Sequence, residues 1–338
     1  MKLKHTILIL TACIFTTVSA RAEDAGLRYI KSHGAIRCGT TLDSRAFAYR
    51  DEEKQWQGFD AEICKIFASA IFGNEKYFEL VNVPQSEAAA ALQSGKVDVM
   101  LGNTPYSASL DISRRIVPAG LLYFDRQMFA ARNPGEATSM LEFKGKTVCA
   151  VNNSEELYNL DLYNRQYKLK LKAIKFPSQQ KTKEAFMLNR CALITGNEAF
   201  LKSIAYEQQK SKVAVLPEVI TAKPVYAYVS RDNTRLQSII SWLINNLYLA
   251  EEYGITTTNV DILNNAQDQS IRNMLGLDPK LWQKFEMNPK GFREALKVHG
   301  NYADIYHRTL GDNSDLNVRR ITGSLSSDGG VVMPRPFL

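Results

Sequence analysis

Ala35-Ile36-Arg37-Cys38-Gly39, Phe78-Glu79-Leu80-Val81-Asn82-Val83 and Val97-Asp98-Val99-Met100-Leu101 are three short apolar stretches, and what lies between them decides the fold. Asp60 to Phe72 repeats apolar residues at helical spacing and closes at Gly73, and the Ala-rich run Ser86 to Ser94 stops at Gly95. Strand, helix, strand, helix, strand is a βαβαβ order, which needs crossover helices and therefore a parallel sheet. A second series starts at Lys146-Thr147-Val148-Cys149-Ala150-Val151. It continues with a helix from about Ser154, a strand from Ala173 to Phe176, a helix from Thr182 to Leu188 and a strand from Ala192 to Thr195. The expectation is an α/β protein made of two similar units in tandem.

Two extended runs connect these units. Leu121 to Arg132 is apolar and aromatic and lies between them, and Val213 to Val229 follows the second. Two such crossings between α/β lobes form a hinge. They divide the chain into a first lobe of residues 27–125 and 222–253, a second lobe of residues 126–221, and a C-terminal helical extension, residues 254–338. Helical periodicity covers Leu236 to Glu252 and Leu281 to Val298, and from about Leu310 the sequence turns polar and rich in Gly and Ser. That tail is expected to have little fixed structure of its own, or to pack as an extended strap.

Residues 1–22 read as a signal peptide. Lys2, Lys4 and His5 form a basic start, Ile7 to Val18 is an apolar run too short to span a bilayer, and Val18-Ser19-Ala20 and Ala20-Arg21-Ala22 are small-residue cleavage sites. Leu10-Thr11-Ala12-Cys13 would suit a lipoprotein signal, but the apolar run continues past Cys13 through Ile14, Phe15 and Val18. No other stretch reaches the ~18 uninterrupted apolar residues of a membrane helix. The mature chain is thus expected to be exported, and to be soluble.

The formal charge of +7 falls to +4 when Lys2, Lys4 and Arg21 leave with the signal, and the remaining excess is diffuse. Lys168, Lys170, Lys172 and Lys175 form the densest basic run, in an alternating segment that reads as one solvated face and not as a nucleic-acid groove. With Cys13 gone, four cysteines remain, an even number in an oxidising compartment. They allow three connectivities. The spacing favours Cys38 with Cys64 and Cys149 with Cys191, each pair linking the first strand of a lobe to a later element of that lobe, and each bridge contributing about 3–4 kcal/mol by closing its loop. The four lie in separate segments without CxxC spacing, and only four His are present, so no metal site and no cofactor is expected.

Several stretches carry a resemblance: Ile36-Arg37-Cys38-Gly39, Trp56-Gln57-Gly58-Phe59-Asp60, Leu92-Gln93-Ser94-Gly95-Lys96-Val97-Asp98-Val99 and Lys146-Thr147-Val148-Cys149. It continues through Arg190-Cys191, Leu216-Pro217-Glu218-Val219-Ile220, Glu251-Glu252-Tyr253-Gly254-Ile255-Thr256 and Gly300-Asn301-Tyr302-Ala303-Asp304-Ile305. Together they resemble the periplasmic substrate-binding subunits of general L-amino-acid ABC importers, in solute-binding protein family 3. The resemblance implies a two-lobe, type II periplasmic-binding-protein fold that closes on one small solute in the periplasm and docks on a membrane permease. It implies capture without chemistry, by a monomer. Trp56 and Phe59 read as core residues, Asp60 as a helix cap and Gly58 as a turn residue.

The recognition positions are where this sequence departs from the pattern. The family Arg that grips the ligand α-carboxylate falls at Leu110, and a neighbouring position that offers a backbone N–H falls at Pro105, which has none. The Thr/Gly-rich turn that caps a helix towards the ligand reads Asn152-Asn153-Ser154-Glu155-Glu156, where Glu155 and Glu156 would compete with a ligand carboxylate for the helix N-terminus. The Asp that anchors the ligand ammonium matches Asn197, and Ala192 replaces a further Asp. Arg45, Arg114 and Arg115 are the candidate replacements for the lost guanidinium, weighed against solvated surface roles. Phe47, Asn103, Thr104, Tyr106 and Ser107 still align with cleft positions, as an aromatic wall and hydrogen-bonding groups. Losing one partner of a buried ion pair costs roughly 3–5 kcal/mol, so an ordinary α-amino acid should be held weakly.

Three functions compete at this level. A capture subunit has the full-length resemblance in its favour. A dehydratase-type enzyme on the same scaffold would need a positioned acid or base, for which Glu155, Glu156 and Glu198 are the candidates. A sensor or other non-transport protein would have kept the fold and lost the ligand.

Overall fold

The computed structural model describes residues 25–102, 106, 108–113, 115–135, 139–207 and 212–338. The expected signal peptide, residues 1–22, lies outside them. In chain order the elements are α1 (Ala25–His33), β1 (Ile36–Thr40), β2 (Tyr49–Arg50), β3 (Trp56–Gln57), α2 (Phe59–Phe72), β4 (Phe78–Asn82), α3 (Ala88–Gln93), β5 (Val99–Met100) and α4 (Ala108–Ile112). Then follow β6 (Ile116–Arg132), β7 (Thr147–Val151), α5 (Glu155–Gln166), β8 (Lys172–Phe176), α6 (Gln179–Met187), β9 (Leu193–Asn197), α7 (Glu198–Glu207), β10 (Val213–Val215) and β11 (Thr221–Ser230). Helices α8 (Thr234–Glu252), α9 (Gln269–Met274), α10 (Lys280–Lys284), α11 (Gly291–His299) and α12 (Tyr302–Thr309) complete the chain.

The strands run β4-β1-β5-β11-β6-β9-β7-β8, with β10 pairing to β6 and β2-β3 forming a separate hairpin. Within each half the pairings are parallel, β4-β1-β5 in the first and β9-β7-β8 in the second. Every residue of β1 is buried, as a parallel strand covered on both faces requires. Asp98, at the entrance to β5, fixes the register by accepting from the Arg37 backbone N–H at 2.8 Å and pairing its guanidinium at 3.1 and 2.7 Å.

Within the sheet the two parallel halves are joined through β6 and β11, which are antiparallel to each other and longer than any other described strand. Their pairing slips twice, so that Leu122 and Ala119 of β6 have no opposite residue. Between the slips Gly120 takes φ +152°, and a Cβ there would sit 2.7 Å from Ile244 Cδ1, which leaves glycine alone compatible with the site. The Leu122 carbonyl freed by the slip is not left unpaired: it accepts the hydroxyl of Tyr248 from α8 at 3.1 Å and that of Tyr302 from α12. The hinge is therefore braced by the C-terminal extension.

That extension shares one core with the first lobe. Trp282, Phe292, Tyr302 and Tyr306 pack with Ile36, Phe59 and Phe67, and Leu310, Leu316, Val318, Leu325, Val332 and Phe337 of the tail join them. This explains why α2 is buried nearly all round: α11 and α12 cover the face that an amphipathic helix would show to water. Polar locks hold the covering in place. The Ser69 hydroxyl donates to the Gly291 carbonyl at 2.8 Å, and His299 meets Glu62 at 2.7 Å through Nδ1 and Glu75 at 2.8 Å through Nε2. Arg308 donates to Glu62 at 2.8 Å. Burial opposes the Glu62 charge, but the His299 hydrogen bond and the charges of His299, Lys65 and Arg308 outweigh it and hold the carboxyl at about 2.

Both disulfides form as the spacing favoured, Cys38 with Cys64 across a Cα–Cα distance of 6.2 Å and Cys149 with Cys191 across 5.6 Å. No described helix is long and apolar enough to cross a membrane.

Candidate functional site

The loops that follow β1, β5, β7 and β9 leave the carboxyl ends of the parallel strands, where ligands of open α/β sheets bind. The loop after β1 carries Phe47. Its side chain is buried and stacks on Tyr123 of β6 with ring centroids 6.1 Å apart, and its carbonyl accepts the Asp60 and Ala61 N–H groups at 3.0 and 3.2 Å. Those are open donors of the α2 N-terminus, so a backbone carbonyl does the capping that the sequence assigned to Asp60. A Cβ on Gly58, at φ +105°, would meet that carbonyl oxygen at 2.5 Å. Asp60 instead accepts the Thr40 hydroxyl at 2.5 Å on Oδ2, while Oδ1 has no hydrogen-bond partner among the described residues. Burial pushes its carboxyl up to about 7, against the opposing effect of the Thr40 hydroxyl.

Asn103, Thr104 and Ser107, with Pro105, lie outside the described residues, as does Arg114. The backbone of Leu110 belongs to α4, and its side chain is outside the described set. Tyr106 is 44% exposed and meets Tyr226 of β11 edge-on at 6.0 Å. On the second lobe Asn153 is exposed, with φ +54° in the turn from β7 to α5. Ser154 caps α5, accepting the Leu157 N–H at 3.1 Å and donating to the Val151 carbonyl at 2.9 Å. Asn197 ends β9, is 3% exposed, and accepts the Phe200 N–H at 2.8 Å, which makes it the cap of α7. Ala192 precedes β9, so it stands about 16 Å from Asn197 at roughly 3.3 Å per residue and does not belong to the site.

Further charges at the site come from the hinge strands. Lys223 of β11 lies opposite Asp125 of β6 and reaches Glu155 at 3.2 Å and Glu156 at 3.8 Å. On the other face of β6, Arg126 donates to Glu198 at 2.7 Å, and Lys202 sits 3.4 Å from the same carboxylate. Gln127 is buried, donates to the Glu156 carbonyl at 2.8 Å and to Thr195 Oγ1 at 3.1 Å, and accepts from Asn159 at 3.0 Å. The signal was present in the sequence: a charged residue inside an apolar crossing strand has either to pair or to face the gap. All three glutamates considered as acids or bases are thus ion-paired with hinge or helix cations. Arg45 is also engaged, donating to Asp315 at 3.1 and 2.6 Å and lying 4.4 Å from the Tyr206 ring centroid. Among the described residues, no group of three or more His, Cys, Asp or Glu could hold a metal ion.

The model of the bacterial extracellular solute-binding proteins, family 3, matches residues 36–257. The general L-amino acid-binding periplasmic protein AapJ of Rhizobium johnstonii is 28% identical, the match covering 99% of each chain. The glutamate/glutamine/aspartate/asparagine-binding protein BztA of Rhodobacter capsulatus is 25% identical over 95% of each. Among solved structures, a periplasmic binding protein of an ABC transporter from Brucella ovis, with glutathione bound, superposes with a TM-score of 0.86 at 28% identity, covering 92% of this chain and 99% of that one. The solute receptor for L-cysteine of Neisseria gonorrhoeae shares the fold, with a TM-score of 0.57 at 19% identity.

Proposed function

The chain belongs to the bacterial extracellular solute-binding proteins, family 3, and from that premise we propose that it captures a small polar solute outside the cytoplasm and hands it to the permease of an ABC importer. In this reading residues 27–125 and 222–253 form one jaw, residues 126–221 the other, and residues 254–338 a brace on the first. Closure about β6 and β11 encloses the solute. No reaction follows.

The solute we infer is an amino-acid derivative whose α-carboxylate is masked, such as an amide or a small peptide. One observation carries this: the α5 N-terminus, the natural seat for an anion, already holds Glu155 and Glu156, tied to Lys223. A free carboxylate entering there would meet two negative charges. Leu110 and Pro105 point the same way, and Asn197 spends its carboxamide oxygen on capping α7. Glutathione, held by the Brucella ovis protein, is a small peptide, but its γ-linkage leaves the glutamate α-carboxylate free, so it serves beside L-glutamine and L-glutamate as an unmasked comparison. The pairing of Glu155, Glu156 and Glu198 with cations speaks against the dehydratase reading.

Thermal shift of the mature chain with reduced glutathione, dipeptides, L-glutamine, L-glutamate and glutamine amide tests the proposal. A bound solute at 100 times its dissociation constant adds about 2.7 kcal/mol of stability. The masked compounds should raise the melting temperature at lower concentration than L-glutamate. A larger shift with L-glutamate would refute the assignment, and no shift with any compound would favour a non-transport role.

A further inference from the structure

Helix α7 has two working faces. Leu201 and Ile204 enter the second-lobe core with Phe186 and Cys191. The other stripe, Ala199, Lys202 and Tyr206, recurs every three to four residues and turns to the first lobe: Ala199 is part of that lobe's core cluster and Tyr206 packs against it. Two polar contacts flank this seam. The Arg45 guanidinium, from the loop after β1, lies over the Tyr206 ring at 4.4 Å, and the Lys202 ammonium donates to the Asn317 carbonyl.

Both partners on the first-lobe side are held in place by the C-terminal tail. Asp315 takes Arg45 at 3.1 and 2.6 Å. Asn317 adopts φ +48° between Leu316 and Val318, two residues buried in the first-lobe core, and this turns its carbonyl out towards α7. Further on, Arg320 pairs with Glu251 at 2.7 and 3.0 Å, and the Asn273 carboxamide donates to the Phe337 carbonyl at 2.9 Å. The tail therefore moves with the first lobe, while α7 moves with the second. Any opening of the lobes on this flank has to break the Arg45–Tyr206 and Lys202–Asn317 contacts.

We propose that residues 315–317 of the tail, together with Arg45, form a latch that engages α7 and favours the closed lobes before a solute arrives. The latch rests on the reading of the molecule as two jaws that close. Because closure enters the overall binding constant, a weaker latch lowers solute affinity and speeds release by the factor it takes from the closed-to-open ratio.

Spin labels at Glu53→Cys and Gln180→Cys, both at exposed positions, report the distance between lobes in the solute-free chain. The wild-type background should show a short-distance population. Arg45→Gln with Lys202→Met should cut the closed-to-open ratio about tenfold, equivalent to about 1.4 kcal/mol. Asp315→Ala, which removes the carboxylate that holds Arg45, should lower it a few-fold through loss of Arg45 positioning and guards against a folding defect in the double variant. Equal ratios in all three chains, or no short-distance population in the wild type, overturn the latch alone. One unchanging distance in every chain, with and without saturating glutamine amide or dipeptide, overturns the jaw reading together with it.

Discussion

Phe337 is the second-last residue of the chain, yet replacing it by alanine should destabilise the protein as a core mutation does. Its ring is 2% exposed and lies 5.4 Å from Trp242 and 4.9 Å from Trp282, and its backbone N–H donates to the Ser270 hydroxyl at 2.7 Å. Removing a buried phenyl ring costs about 3–5 kcal/mol from lost transfer energy and the cavity left behind. For a chain of this size the melting temperature should fall by on the order of 10 °C. Trp242 and Trp282 report the change directly, so urea unfolding followed by tryptophan fluorescence, with the slope unchanged from wild type, is the assay. A loss below about 1 kcal/mol, the behaviour of an exposed terminal residue, would refute the view that the tail completes the first-lobe core.

Asp60 and Glu62 should give opposite pH slopes. Asp60, raised from 3.8 to about 7, favours the folded state fully below 3.8 and loses that contribution as pH rises through about 7. Asp60→Asn should therefore flatten the stability profile between about pH 4 and 7, measured by urea unfolding across that range; an unchanged profile would contradict the assigned burial. Glu62, lowered from 4.5 to about 2, stabilises the fold above 4.5 and loses this as pH falls through about 2. Glu62→Gln should remove that acid-side slope and cost about 3–5 kcal/mol at neutral pH, because His299 and Arg308 lose a buried charge partner. Leu110→Arg with Pro105→Thr tests the proposed loss of a carboxylate clasp at these positions: calorimetric titration should find L-glutamine bound about 10²-fold more tightly than by wild type, as regaining one buried charge partner implies. Unchanged affinity would mean these positions do not face the solute.

Much of the architecture was legible because burial leaves a mark on composition. β1 and α2 announced themselves through apolar runs and the Gly73 stop, and the cysteine spacing matched the disulfides. Other elements were hidden by local signals that tertiary contacts override. β6 begins at Ile116, five residues before the apolar run suggested, because Pro118 and Gly120 read as breakers, whereas the slipped pairing absorbs both. The single helical run from Leu281 to Val298 is two helices, broken before Pro289, which cannot sit within a helix interior. The tail looked polar because its buried residues, Leu316, Val318, Leu325, Val332 and Phe337, are isolated from one another in sequence and only the folded first lobe gathers them. At the site, the caps Ser154 and Asn197 were found as positions, but their hydrogen bonds serve helix ends. The pairing of Arg126 and Lys223 is not legible in the sequence, because partners 72 and 67 residues away cannot be read from a strand's own pattern.

Capture by closure is tested most directly by the distance between labels at Glu53→Cys and Gln180→Cys as solute is added. The masked amino-acid compound giving the largest thermal shift should move the whole population to the short distance, with a midpoint equal to its dissociation constant. A distance distribution that stays the same at saturating solute would contradict it.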